Sequence, residues 1–327
     1  MQSRLAVFVM LWFAGSAVSN TSAKVILTRM PLPLYLCCVQ FAVACLLGAL
    51  YYAVRPQLRR KPESYDAHIA LRNLALAYTI GFVFVNAGFV AVNVSLAETL
   101  RSAEPVFSVA FAKLWLRDQA SEKISNVTLF SLVPIVLGGA FASGGDATFS
   151  LSGFIFTGIS NASFAMRSIV AKQLKLVFRE GDGTNVFFSI SLLGLRWLLI
   201  LTGLVELSLI VMAPVEIQNK YCAIRVLQTV SQEELWSSLV PLIIINALTY
   251  NLYNLMSFLV LELVSVVSHA VANSMRRVVT IAVSIWVMKN TINFVNAAGM
   301  CLAVAGLVIY SLSRAHDDVK PLPTKLV

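Results

Sequence analysis

The chain is built from long runs of apolar residues, each about the length that crosses a bilayer. Such runs cover roughly 5–28, 33–54, 69–92, 95–116, 124–143, 151–176, 187–213, 236–262, 265–288 and 293–314. About 20 apolar residues span the hydrocarbon core as a helix. A transmembrane β-barrel needs shorter segments that alternate apolar and polar, and these runs are continuous. Most connections are very short. Two are longer, 55–68 and 214–235, and the second has room for a short amphipathic helix. The pattern predicts an all-α membrane protein of ten transmembrane helices.

Composition sharpens this reading. The 327 residues are 58% hydrophobic and 13% charged, where a soluble domain carries roughly 25% charged residues. Ten helices with their connections leave no length for a soluble catalytic domain. The net charge of +9 resembles a nucleic-acid signal, but most of it lies at the ends of the apolar runs, where it sets topology. Arg4, Arg55, Arg59, Arg60, Lys61, Arg117, Lys123, Lys172, Lys175, Arg179, Arg314, Lys320 and Lys325 fall on the side shared by both termini. Lys24, Arg29, Lys220, Arg225 and Lys289 fall on the other. The positive-inside rule puts both termini in the cytosol. No cleavable signal or Arg/Ser-rich transit peptide precedes the first run in this sequence, so the expectation is that either the first helix is itself the signal or a presequence has been removed.

The two halves resemble each other. Ser19-Asn20-Thr21-Ser22 recurs as Ser160-Asn161-Ala162-Ser163, Trp115 matches Trp286, and Gly139 matches Gly306. The predicted division is a first five-helix repeat at 1–143, a second at 151–314 and a cytosolic tail at 315–327. An odd number of spans per repeat inverts the second half. Inverted repeats mark transporters whose substrate site lies between them near mid-membrane.

Charges inside the apolar runs are costly and call for a reason. Arg276 and Arg277 lie halfway along the ninth run with no acid within a helical turn. The arginine fork matches a phosphate bidentately, so the pair reads as a polyanion site; the competing reading is pairing with a glutamate on another helix. Arg101 is flanked by Glu98 and Glu104 at i−3 and i+3, so a self-neutralised ladder competes with a binding role. Pro105 should kink the fourth helix beside it. Arg167 either reaches a cavity or extends to the membrane edge. Arg196 has no supporting context and either snorkels or pairs with Glu206. Tyr253 gains a binding role only if it faces the same cavity.

No phosphate loop with lysine, HExxH or CxxC occurs, so no enzyme, cofactor or metal is expected. The cysteines Cys37, Cys38, Cys45, Cys222 and Cys301 are odd in number and four of them lie in apolar runs. They read as small apolar side chains.

With these residues in hand, the chain resembles the plastidic phosphate translocator family, also called the triose-phosphate translocator family, of the drug/metabolite transporter superfamily. SLAETLRSAEPVFSV resembles its fourth-helix stretch, with Arg101 on a family lysine. TYNLYNLMSFLVLELVSVVSHAVANSMRRVV resembles the eighth and ninth, with Arg276 and Arg277 on a Lys-Arg pair and Tyr253 on a family tyrosine. SNASFAMRSIVAK places Arg167 on a family arginine, and LWFAGSAVSNTSAKVIL is similar to the first helix through Trp12 and Lys24.

The resemblance implies ten helices in an inverted five-plus-five repeat. It implies exchange of inorganic phosphate for a phosphorylated three-, five- or six-carbon metabolite, with the phosphate held by Arg101, Arg276 and Arg277. Tyr253, Arg167, Phe82 and Val85 fall at secondary substrate positions. Phe82 and Val85 stand where plastid members carry polar residues, and Glu98 stands where plant members have histidine. Glu98, Glu104, Pro105 and Lys24 are expected to gate or support the site. The expected partners are inorganic phosphate, an organic phosphate and the lipid bilayer, with no nucleic acid; a homodimer is open. The alternative function is a Golgi or ER nucleotide-sugar antiporter of the same fold.

Overall fold

A computed structural model describes residues 2–59, 64–115, 125–175, 183–264 and 266–319. Arg60, Lys61, Arg117, Lys123, Arg179, Lys320 and Lys325, used to orient the chain, lie outside the described residues. So does the predicted tail beyond Val319.

The described residues form helices α1 (Gln2–Arg29), α2 (Pro33–Val54), α3 (Tyr65–Ala91), α4 (Val94–Arg101), α5 (Glu104–Trp115), α6 (Asn126–Phe130), α7 (Leu132–Gly145) and α8 (Leu151–Lys175). Then follow α9 (Gly183–Met212), α10 (Val215–Tyr221), α11 (Ala223–Thr229), α12 (Gln232–Glu234), α13 (Val240–Leu263), α14 (Val266–Met288) and α15 (Phe294–Val319). Among the described residues, nine helical stretches are long and apolar enough to cross a bilayer. This is an all-helical membrane protein.

The predicted fourth span is not one of the nine: it carries Glu98, Arg101 and Glu104 within 18 residues, and it is also broken. A helical amide bonds the carbonyl four residues back, and Pro105 has no amide to offer Arg101. The chain uncoils just before the proline, at Ser102 and Ala103. Their amides reach back only three residues, to Thr99 and Leu100, at 3.0 and 3.1 Å. The pieces α4 and α5 hold 8 and 12 residues, about 12 and 18 Å of helix. Pro134 acts the same way on the predicted fifth span, which divides at Ser131 into α6 and α7. A five-residue π turn, Leu235–Leu239, precedes Pro241. The last predicted helix continues past 314 to Val319.

The long connection at 214–235 holds three short helices, α10 to α12, rather than one. Ala223 and Val226 of α11 pack on Met30, Leu32 and Leu239 at one end of the bundle. Glu206 caps α11, accepting bonds from Cys222 Sγ at 3.0 Å and the Ala223 amide at 3.2 Å. The expected Arg196–Glu206 pair therefore does not form. All five cysteines are free.

Helices pack in a recurring scheme: α1 along α13, α3 along α8, α7 along α15, α2 against α9 and α4 against α14. The α7–α15 contact is backbone on backbone. A Cβ on Gly138 would fall against the main chain of Ala303 and Gly299, and one on Gly299 against that of Ala142. Small residues at a four-residue spacing permit this approach. Gly138 and Gly299 are therefore counterparts in packing. The sequence match of Gly139 with Gly306 is off, since Gly139 faces the Leu100 side chain and Gly306 sits on Ile135.

Every residue of α4 is buried. It lies among α14, α8, α7, α3 and α15, so its side chains face the interior of the bundle.

Candidate functional site: an arginine–glutamate cluster

The helix break sets up the site. Ending α4 at Arg101 and starting α5 at Glu104 puts Glu98, Arg101 and Glu104 beside the middle of α14. There they meet Arg276 and Arg277. Glu98 is 0% exposed, Arg277 3%, Arg276 6% and Arg101 7%. Charges this deep persist only when paired and hydrogen-bonded.

Glu98 is the hub. Its Oε1 accepts from Arg101 Nη1 and, at 3.0 Å, from Asn20 Nδ2 of α1. Its Oε2 lies 3.5 Å from Arg277 Nη1, close enough for an ion pair but beyond a good hydrogen bond. Glu104 Oε2 accepts from Arg277 Nη2 at 2.8 Å. The Glu-Arg-Glu ladder is thus only half made. Arg101 pairs with Glu98, and Glu104 turns to α14 instead.

Arg276 and Arg277 part company. Arg277 has two carboxylate partners, which corrects the expectation of an unpaired guanidinium. Arg276 has no carboxylate partner among the described residues. Its Nη1 donates to Ser16 Oγ of α1, and its Nε to Asn273 Oδ1 at 3.0 Å. Thr280 Oγ1 stands 3.4 Å from the same Ser16 oxygen. Arg276 also lies over the Tyr253 ring, 6.0 Å from its centroid. Tyr253 is seated close to α1 because position 15 is glycine: a Cβ there would lie 3.2 Å from Tyr253 Cβ.

Three guanidinium groups against two carboxylates leave one formal positive charge. Arg101 Nε, Arg277 Nε and Arg277 Nη1 are buried without a hydrogen-bond partner. Leaving such donors unsatisfied is costly. An entering oxyanion would supply both the missing charge and the missing acceptors.

The other expected residues lie around this core. Arg167 is half-buried and places its guanidinium 4.9 Å from the Phe164 ring centroid; Arg101 lies 5.4 Å from the same centroid. One aromatic ring thus carries two cations. Phe82 packs edge-on to Phe164 at 5.1 Å and to Tyr250 at 4.9 Å, one layer behind the arginines. Val85 is buried in the general core. Lys24 donates to the Phe89 and Val92 carbonyls at 2.7 and 2.9 Å, which ties down the end of α3. Trp12 stacks on the His269 ring at 4.8 Å.

Sequence reasoning missed Ser16, Asn273 and Phe164 as supports of the arginines and Asn20 as a support of Glu98. A signal existed for two of them. Ser16 and Asn20 are polar, four apart in an apolar run, and so share a helix face.

The model of the Triose-phosphate Transporter family matches residues 3–311. The chain belongs to the Triose-phosphate Transporter family. Its relatives include the phosphoenolpyruvate/phosphate translocator 1, chloroplastic, of Oryza sativa subsp. japonica. That protein is 30% identical over 96% of this chain and 72% of its own. The xylulose 5-phosphate/phosphate translocator, chloroplastic, of Arabidopsis thaliana is 30% identical over 95% and 70%. The triose phosphate/phosphate translocator, chloroplastic, of Zea mays is 30% identical over 95% and 71%. A solved crystal structure shares the fold with a TM-score of 0.51 at 13% identity, over 96% of this chain and 99% of that one. Membership of this family makes the chain a transporter rather than an enzyme, and it extends the motif resemblance to nearly the whole sequence.

Proposed function

We propose that the chain is a secondary antiporter that exchanges inorganic phosphate for a phosphorylated small metabolite. The observation that carries this reading is the buried cluster. It has one more guanidinium than carboxylate, and Arg101 Nε, Arg277 Nε and Arg277 Nη1 have no hydrogen-bond partner, Arg277 Nη1 being held only by the 3.5 Å ion pair to Glu98 Oε2. A phosphate has the charge and the planar pairs of oxygens that arginine forks recognise. The relatives' names each pair phosphate with a phosphorylated metabolite.

The architecture in this reading is ten spans in two inverted halves, residues 1–143 and 151–314, with α4–α5 together as the fourth span. The packing scheme supports it. Exchanging each span of one half for its counterpart turns the α3–α8 contact into the α13–α1 contact. The same exchange leaves α2–α9, α4–α14 and α7–α15 unchanged. The site then lies at the interface of the halves, as in other inverted-repeat carriers. Arg101, Arg276 and Arg277 clamp the phosphate, Tyr253 and Arg167 flank it, and Lys24 supports the end of α3. Both termini face the cytosol, and the chloroplastic relatives favour a plastid envelope.

The test is counterflow into liposomes loaded with phosphate. Labelled phosphate uptake should be saturable and should require internal phosphate or a phosphorylated three- to six-carbon metabolite. Uptake of nucleotide sugars, with none of phosphate, would overturn the reading.

Glu98 has a specific part in it. Its carboxylate occupies Arg101 and lies near Arg277, so substrate phosphate competes with an internal anion. Glu98→Gln should lower the phosphate Kd by about 10-fold, the equivalent of one charged contact at roughly 1.4 kcal/mol. Phosphate titration followed by thermal shift reads this out. An unchanged or weaker affinity would show that Glu98 positions Arg101 rather than competing with substrate.

A further inference from the structure

Away from the central cluster, a cavity of about 340 Å³ opens on the seam between the start of α3 and the middle of α9. Its walls carry Arg72 and His68 from α3 and Arg196 from α9. No carboxylate lines it, and among the described residues none of these three basic side chains makes a hydrogen bond or ion pair. Tyr65 and Trp197 frame it, and Leu193 forms part of the apolar wall.

The position of Arg196 is the informative feature. Helix α9 has 30 residues, about 45 Å, longer than the roughly 30 Å hydrocarbon core. Its first turn lies beyond α2, where Asn185 Nδ2 donates to the Leu58 carbonyl at 3.0 Å. Arg196 is 13 residues into the helix, and the neighbouring turns expose Leu192, Leu199, Ile200 and Leu204. Such a stripe faces lipid. An arginine on it without an acid partner needs an anion or a route to the membrane surface. Helical side chains lean toward the N-terminus, which carries the Arg196 guanidinium to the level of His68 and Arg72.

We propose that this cavity binds the phosphate headgroup of an anionic membrane lipid. Arg72 and Arg196 hold the phosphate, and His68 lies beside it. Tyr65, at the start of α3, lies at the end of the cavity where headgroup-level rings are favoured, and Trp197 forms part of its inner wall. The acyl chains run down the exposed leucine stripe of α9. A free phosphate ion offers the same charge but would leave that continuous apolar surface without a ligand. Basic pockets between spans are a known form of lipid recognition.

The test uses the full chain purified in neutral detergent and followed by thermal unfolding. Phosphatidylcholine alone, phosphatidylcholine with phosphatidylglycerol, and inorganic phosphate are compared. Phosphatidylglycerol should raise the wild-type Tm by about 5 °C beyond phosphatidylcholine at saturating lipid. Arg72→Gln/Arg196→Gln should lose most of that increment and keep the phosphatidylcholine response. If the double variant is not monodisperse, Arg196→Gln alone decides, and it should lose at least half. An increment retained in the variant that decides overturns the proposal, as does its absence from the wild type. A wild-type shift with inorganic phosphate that disappears in the same variant overturns the lipid assignment in favour of a soluble anion.

Discussion

Arg276→Ala is expected to reduce phosphate counterflow by at least about 100-fold while leaving the unliganded protein nearly as stable as wild type. The two halves of this expectation have separate physical sources. Arg276 is the cation of the cluster without a carboxylate partner among the described residues, held by Ser16 and Asn273. Removing it breaks no direct carboxylate pair; the longer-range attraction of Glu98 and Glu104 is lost, and repulsion from Arg277 next to it and from Arg101 is relieved. What is lost is packing on Tyr253 and two hydrogen bonds to neutral acceptors, a change within about 1 kcal/mol of neutral. The bound state loses far more. A bidentate arginine–phosphate contact comprises two charge-assisted bonds of about 1.5 kcal/mol each, which together amount to the 100-fold loss. The measurement pairs counterflow with thermal unfolding at zero and saturating phosphate. Wild type should show phosphate-induced stabilisation and the variant none. A variant that keeps its phosphate-induced shift would remove Arg276 from the site.

The parts of this site that were legible in the sequence share one feature: each announces itself within a few residues. Arginines in apolar runs are conspicuous because their cost is local. Pro105 predicts a broken hydrogen bond at Arg101, and the chain breaks within two residues of it. The family motifs around Arg101, Arg167 and Arg276–Arg277 are likewise contiguous. What was hidden depends on chain folding. Glu104 and Arg277 are 173 positions apart, and nothing near either names the other, so the Glu98–Arg101–Glu104 ladder looked self-contained. The glycine match failed for a related reason. Gly138 and Gly139 are adjacent, yet one step on a helix turns the side chain by about 100°. Only the packing against Ala303 tells which of them lies on the seam. Arg196 has no acid nearby in sequence, and Glu206, ten residues on, is committed by the fold to the amides of α11. Ser16 and Asn20 share a face that could be read from their spacing, but its value depends on the arginine that arrives from α14.

Arg277→Ala should behave differently from its neighbour, because Arg277 neutralises carboxylates in addition to the phosphate-binding role proposed for it. Its guanidinium meets Glu104 at 2.8 Å and Glu98 at 3.5 Å. Without it, among the described residues Glu104 has no cationic partner, and Glu98 keeps only Arg101. Breaking a buried pair by removing one partner costs about 3–5 kcal/mol, most of it from the carboxylate left uncompensated; the Glu104 side chain is 17% exposed, which places this pair at the lower end. The single variant is therefore expected to unfold at markedly lower temperature and to lose exchange, a result that by itself says little about binding. The second substitution resolves it. In Arg277→Ala/Glu104→Gln the stranded charge is gone, and most of the lost stability should return. Exchange should not return, because the phosphate has lost a fork that no other side chain replaces. Thermal unfolding and counterflow on wild type, both single variants and the double variant complete the cycle. Recovery of exchange together with stability in the double variant would show that Arg277 only neutralises Glu104, leaving Arg101 and Arg276 to hold the phosphate. Recovery of stability without exchange separates the two roles of the residue. It identifies the Arg277–Glu104 pair as an internal counter-ion arrangement that a bound phosphate takes over, with the carboxylate released as the substrate enters.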